Sequence, residues 1–525
     1  MTISKPMRPL LLALLIGISA NILFWSHWLG ISVPIFTTLI IGALVYIIRQ
    51  KQDRLLRQAV WLIIPIFFCA TMIMLRSNEL LTALNILTIL YLLVLLAVFA
   101  TADDLTRPGF IEYGVLPIRV AIQSVTQPAP IIKDALENHA PQAGSKAKIM
   151  PIIRGLVIAL PFFLVFLALL LSADAIFAAT LRNLFARKLD ISLPFRLIFI
   201  IVVAWLSGGW LLYAVRPTAD PQRPVPQVIL QNIRKAIHVG ITEAATVLIS
   251  LNLLFGSFVL IQFAYLFGGL QHISLGDISY AEYARRGFGE LVAVSVLTLG
   301  VILLFHWFTK RDTAGQSTLF NILSSIMVSF VVVMLISAFQ RLTLYELRFG
   351  FTELRLFVHV FMIWLGVLLV WFAIALWIQP KRLAIGALAA GIGFIITLNL
   401  INPDVFIVRR NVERLDTHNF IDLNYLSTLS YDATAELIKL EQKLQAHDDN
   451  INTRNCSTIG YSSEISRSTF ESFCIEAPIS NFLPKHLDSE FRELVMEEQA
   501  WDWQAFHIGR WRAYQALKTR QEQSD

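Results

Sequence analysis

The chain has 525 residues, 56% apolar and only 15% charged, with a mean hydropathy of +0.64. Soluble domains run nearer a quarter charged, so a soluble globular protein is excluded and an integral membrane protein is indicated. The net charge of +6 is unevenly divided. From residue 403 onward, 13 Lys/Arg face 20 Asp/Glu, a net of −7, and the remainder is near +13. Basic loops against an anionic leaflet explain this split, and no nucleic-acid partner is expected.

In chain order, Lys5 and Arg8 precede an apolar run that resembles a signal peptide. It continues to Trp25 and is followed at once by a second run, which favours an uncleaved first span. About eleven apolar windows follow one another: 9–26, 29–48, 59–75, 80–100, 151–171, 197–215, 242–267, 289–307, 319–340, 356–378 and 383–402. Runs this long and continuous are helices, since the alternating strands of a barrel are nearer ten residues.

With the N-terminus inside, the inner loops collect 20 Lys/Arg and the outer loops about half as many. An odd span count then puts the tail outside. The expected fold is all-α: a polytopic transmembrane helical bundle with a small helical extracytoplasmic C-terminal domain. It divides into a four-span region with a long cytoplasmic loop (1–150), a seven-span core (151–402) and a soluble unit (403–525).

Within the long loop, "LPIRVAIQSV" reads as an amphipathic helix on the inner surface, and "NHAPQAGSKAK" as a linker. In the tail, Leu429, Ala433, Leu437, Leu440 and Leu444 have helical spacing, and a last helix is expected over 487–521 with Gly509 as an interruption. Trp501, Trp503, Phe506, Trp511 and Tyr514 form an aromatic group with Arg510 and Arg512. It reads as core or interface anchoring, with ligand stacking as the alternative. Cys69 lies in an apolar run. Cys456 and Cys474 match no metal spacing and form a disulfide candidate if the tail faces an oxidising compartment.

Polar residues gather at the outer span ends. In "SYAEYARRGFGELVAV", Ser279 and Glu282 form a capping box that starts a helix near Tyr280. Glu282, Arg286 and Glu290 then share a face as an ion-pair ladder, with Arg285 beside it and Tyr283 and Gly287 on the adjoining strip. In "SAFQRLTLYELRFGFTELRLF", Arg341 and Tyr345 share a face, Glu346 follows, Gly350 stops the ninth span, and Thr352 caps the tenth with Glu353 and Arg355 in its first turns. Gln262 and Tyr265 lie on the seventh span, Asp174 ends the fifth, and Asn399, Asn402, Asp404, Arg409 and Arg410 end the eleventh. Two readings apply. These groups are caps and ion pairs that lock helices and tail together, or they line an outer polar cleft able to hold an anion near a carboxylate base.

No catalytic residue, metal site or cofactor is assigned. His27, His272 and His359 share the outer side without ligand spacing, and no nucleophile elbow, P-loop or dinucleotide fingerprint occurs. Gly386, Ala390 and Gly393 mark helix packing, and Asn85, Asn252, Gln262 and Asn399 read as interhelical glue. Glu243 is the one carboxylate expected at moderate depth, which counts against ion-coupled transport.

"YAEYARRGFGEL", "LLLSADAIFA", "LIQFAYLFGG", "RLTLYELRFGFTELR" and "DLNYLSTLSYDA" together resemble a bacterial family of multi-pass membrane proteins of unknown function, DUF 4173, related to DUF 4153. The likeness runs from about Arg154 to "WDWQAFHIGRWRAYQAL". Gly289 departs from it, standing where the pattern has a second aromatic after Phe288. The resemblance implies placement and architecture rather than a reaction.

The expected function is non-enzymatic sensing or scaffolding in the cell envelope. The alternatives are a transporter or flippase of a small anionic or lipid-linked solute, and an enzyme acting on lipid or glycan at the outer leaflet. The expected location is the bacterial inner membrane, with the N-terminus cytoplasmic and the C-terminus periplasmic. Expected partners are membrane lipids and other membrane or envelope proteins.

Overall fold

The computed structural model describes residues 7–50, 57–100, 110–132, 170, 174, 192–215, 239–267, 288–378, 382–418, 421–446, 479–499 and 502–524. The membrane part comprises α1 (Met7–Phe24), α2 (Ser32–Gln50), α3 (Arg57–Leu75), α4 (Glu79–Phe99), α5 (Phe110–Thr126), α6 (Ser192–Ala214), α7 (Ile241–Phe267), α8 (Phe288–Phe308), α9 (Ala314–Phe349), α10 (Glu353–Ile378) and α11 (Leu383–Ile401). Among the described residues, eight helices are long and apolar enough to cross a membrane, and residues Arg8–Phe24 and Ala59–Leu75 form two shorter apolar helices. No strand occurs among the described residues; Val239 and Thr309 form an isolated bridge. The expected fifth span lies almost entirely outside the described residues, as do Cys456 and Cys474.

Two apolar cores organise the bundle. One joins α1 to α6 through residues such as Leu44, Ile66, Leu92 and Leu211. The other joins α7 to α10 through Leu248, Ile302, Phe320 and Phe372. Helix α11 serves both, with Ala384 and Ile395 in the first and Leu383 in the second. Close approach depends on small residues. A Cβ on Gly17 would strike the Ile200 carbonyl of α6. Gly386 and Gly393 accept the Trp371 and Trp364 rings of α10, so the glycines of the last span pack helices as expected.

Two expectations need correction. The ninth span continues past residue 340 to Phe349, so Arg341, Tyr345 and Glu346 are helical. Their polar groups read as a loop, but Glu346 and Tyr345 face His359 and Arg355 of α10. Helix α5 stands beside α6 rather than flat on the surface. Trp205 Nε1 donates to the Val125 carbonyl at 2.9 Å, Arg119 lies 5.8 Å from the centre of the Tyr213 ring, and Gly209 lies directly against the Ser124 backbone.

In the span interior, Asn85 and Asn399 exchange two amide hydrogen bonds of 3.0 and 2.8 Å, and both are fully buried. Asn85→Leu alone leaves Asn399 without its partner and is expected to cost about 2 kcal/mol. The double change to Leu should recover most of that loss, as read by thermal unfolding of the purified protein.

The tail contains α12 (Pro403–His418), α13 (Leu423–Leu426), α14 (Thr434–Ala446), α15 (Ile479–Gln499) and α16 (Ile508–Ser524). The expected last helix is therefore two helices. The break lies before Gly509, around a 3-10 turn at Trp503–Ala505. Leu437, Leu440, Leu444, Leu487, Leu494 and Leu517 form the tail core together with Leu81, Leu356 and Leu398 of the bundle. Arg520 ties α16 to its neighbours, donating to Glu441 at 2.6 and 2.7 Å and to Asp488 at 2.7 Å.

Candidate functional site

The α3–α4, α9–α10 and α11–α12 turns meet beneath the tail and form one buried polar junction. Asn78 is its hub. As the N-cap of α4, its Oδ1 accepts the Leu81 N–H at 2.8 Å. Its Nδ2 donates to Glu353 Oε1 at 2.8 Å and to the Asp404 carboxylate at 3.1 and 3.2 Å. Asp404 is fully buried in the first turn of α12, behind Pro403, where a carboxylate offsets the helix dipole. Its Oδ2 also accepts the Ser430 hydroxyl at 2.5 Å and the Ser430 N–H at 3.3 Å. Asp432 accepts the Ser77 hydroxyl at 3.0 Å and the Ser77 N–H at 3.2 Å. Tyr425 accepts the Glu353 N–H at 2.7 Å, and burial pushes its phenol up to about 12.

The three carboxylates do not converge. Asn78 separates Glu353 from Asp404, and the two serines separate Asp404 from Asp432. No group of His, Cys, Asp and Glu placed to hold a metal ion occurs among the described residues.

A second leg forms at Gly350, which ends α9 with φ +83° and donates to the Glu346 carbonyl at 2.8 Å. Asn411 of α12 clasps the next residue, accepting the Phe351 N–H and donating to the Phe351 carbonyl, both at 2.9 Å. Arg355 donates to the Gly350 carbonyl at 2.5 Å and lies 4.4 Å from the centre of the Tyr345 ring. A third leg joins the α1–α2 turn to the tail. Ile31 donates to the Phe506 carbonyl at 3.0 Å, and Gly30 lies against the same strip of backbone.

Electrostatics set the junction's response to acid. Burial pushes Asp432 up to about 6, against the lowering effect of Ser77 and Arg76. Burial, with Arg510 nearby, pushes His507 down to about 4. His507 Nε2 faces the Arg76 carbonyl at 3.1 Å and Nδ1 accepts the Arg510 N–H at 3.3 Å, so the ring is neutral with its proton on Nε2.

The signs are opposite. The Asp432 contribution is full below the ordinary value of 3.8 and is lost as pH rises through about 6. The His507 contribution is full above 6.5 and is lost as pH falls through about 4. Each is worth about 3 kcal/mol. Glu490, held by Thr434 at 2.8 Å and raised by burial to about 7, adds to the acid-favoured side. His507→Gln should therefore unmask a fall in stability between pH 4 and 7, read as the pH dependence of the thermal midpoint. An unchanged profile would contradict the assignment.

Of the residues expected from sequence, Glu353 lies in the junction, and Tyr345 and Arg355 stack beside it. Glu346 is buried in α9 against His359. Glu290 is exposed in the first turn of α8, Gln262 is half-buried on α7, and Asp174 is exposed. Tyr280, Glu282, Tyr283, Arg285 and Arg286 lie outside the described residues. Glu243 is a cap, accepting the Gly240 N–H at 2.9 Å. Arg76, Ser77, Asn78, Asn411 and His507 were not anticipated. The motif "DLNYLSTLSYDA" carried Tyr425, Ser430 and Asp432 without indicating their partners.

A family model described as a domain of unknown function (DUF4153) matches residues 63–440. The chain belongs to the DUF4153 family. The match begins in α3 rather than near Arg154, so it takes in Arg76–Asn78 as well as Glu353, Asp404 and Asp432. Thus every carboxylate of the junction, and its hub, falls within the DUF4153 segment, whereas α1, α2, α15 and α16 flank it. No curated protein and no solved structure matches the chain.

Proposed function

We propose that this DUF4153 protein is a non-enzymatic scaffold or sensor of the bacterial inner membrane, with its N-terminus cytoplasmic and its tail a periplasmic platform. The observation that carries this reading is that side chains at the helix ends spend their hydrogen bonds on one another and on the tail. The likeness to DUF 4173 in "YAEYARRGFGEL" belongs to the same reading. The sidedness rests on the basic residues of the face opposite the tail, where Arg8, Arg49, Lys310, Arg311 and Arg382 lie, and on the acidic tail. In a chain with Cys456 and Cys474 changed to Ser, Lys518→Cys should react with a membrane-impermeant maleimide in cells whose inner membrane is intact. Reaction only after lysis would overturn the placement. Liposomes holding the protein should stay tight to small anions, and anion uptake would overturn the scaffold reading.

One arrangement favours a second reading, proton-coupled transport. Glu346, 2% exposed within α9, faces His359 Nδ1 of α10 at 3.0 Å, and His359 Nε2 faces Thr343 Oγ1 at 3.3 Å. Thr343 commits its own proton to the Phe339 carbonyl at 2.9 Å, so Nε2 is the donor to Thr343 and Nδ1 faces the Glu346 carboxyl. An ionisable pair buried between two spanning helices is a candidate proton carrier. On this reading a pH gradient across proteoliposomes dissipates with the unmodified protein and persists with Glu346→Gln. A gradient that persists in both removes it.

A further inference from the structure

The outward face of α1 carries an uninterrupted apolar stripe: Leu11, Leu14, Leu15, Ile18 and Ile22 are all exposed, at the spacing of one helix face. In a spanning helix such a stripe faces lipid. Its last rung touches the tail, because Gln504 donates to the Ile22 carbonyl at 3.5 Å. The residue before it, Trp503, is 59% exposed, and Trp28 at the far side of the same turn is 61% exposed. Each is a large apolar side chain left uncovered, as are Met496 and Trp511 elsewhere in the described tail. The ledge is firmly built: Ile31 donates to the Phe506 carbonyl, and Arg510 lies over the Trp28 ring at 5.0 Å.

We infer that Trp28 and Trp503 form a ledge seated in the headgroup–acyl boundary of the bilayer, so that the tail contacts lipid directly as well as the helix ends. Three features select this partner. The ledge continues a lipid-facing stripe, so hydrocarbon ends where the ledge begins. Indole rings favour that boundary, with the apolar body in and the N–H toward water. The charge at the turn is mixed, with exposed Asp502 3.4 Å from His27, so the surface suits the interface of any bilayer rather than anionic headgroups alone. Both halves of the ledge lie outside residues 63–440, so this contact is an addition to the DUF4153 segment. The inference rests on α1 crossing the membrane and not on the scaffold reading; a tail that is a platform for nothing would still show it.

The test places a benzophenone amino acid at position 503, at 28, or at the exposed Lys518 far along α16, in protein held in lipid nanodiscs. Only monodisperse protein is irradiated, so misfolded material is not read. Phospholipid adducts at 503 and 28 at least about tenfold above those at 518, with yields equal within about twofold in zwitterionic and anionic lipid, are the expected result. Equal adducts at 518, none at 503, or adducts at 503 only in anionic lipid would each overturn the proposal. A second readout needs no unnatural residue. The fluorescence lost in Trp503→Phe should be the component quenched by lipids brominated near the headgroup end of the chain. Quenching of that component by aqueous acrylamide instead would contradict the ledge.

Discussion

Asn78→Ala should destabilise the protein by about 3 kcal/mol or more, read as a large drop in the thermal midpoint of the purified protein. Loss of the cap on α4 accounts for about 1 kcal/mol. The remainder comes from Glu353 and Asp404, which lose the amide between them, at about 1–3 kcal/mol for each buried acceptor left short. Asp404 keeps the Ser430 contacts, so Glu353 bears the larger share. Asn78→Asp separates the two effects. Aspartate caps a helix as well as asparagine does, but here it adds a carboxylate against two others. If the hub account holds, Asn78→Asp is worse than Asn78→Ala at neutral pH and recovers in acid. A result in which Asn78→Asp behaves like the unmodified protein would reduce Asn78 to a cap.

Gly350→Ala is expected to cost about 3 kcal/mol. Its φ of +83° and ψ of 171° fall in a region essentially reserved for glycine, where strain runs to about 1–3 kcal/mol. A Cβ would also sit 2.6 Å from Asn411 Oδ1 and 3.1 Å from Arg414 Nη2, so the clasp on Phe351 must open. Adding Asn411→Ala relieves the clash but not the strain. The double variant should therefore remain clearly less stable than Asn411→Ala alone. Full recovery would mean that the turn conformation contributes nothing.

Helices were legible because hydrocarbon leaves the backbone no other partner, so apolar length marks the eight long helices among the described residues; the fifth window lies outside them. Gly350 as the stop of α9 and the packing role of Gly386 and Gly393 were also readable, since each depends on a glycine doing what only glycine does. The stretch of α9 between the apolar window and that stop was less readable. Glu346 looks like a loop charge until His359, thirteen residues on, is seen facing it. The junction was half legible. Glu353 and Asp404 stood out as first-turn carboxylates, and Tyr425, Ser430 and Asp432 lay in a motif. What joins them is Asn78, in a short turn of ordinary polar residues, whose partners lie 275 and 326 positions away. Nothing local marks such a residue. Helix α5 was misjudged because amphipathic spacing does not distinguish lipid headgroups from the small-residue face of another helix.

The central claim is that the polar helix ends fasten the tail to the bundle. Hydrogen exchange of the tail amides, compared between the unmodified protein and Asn78→Ala, tests it most directly. The account predicts faster exchange across α13, α14 and the start of α16, together with the first turn of α4. Exchange that accelerates only in the first turn of α4, with the tail unchanged, would contradict it.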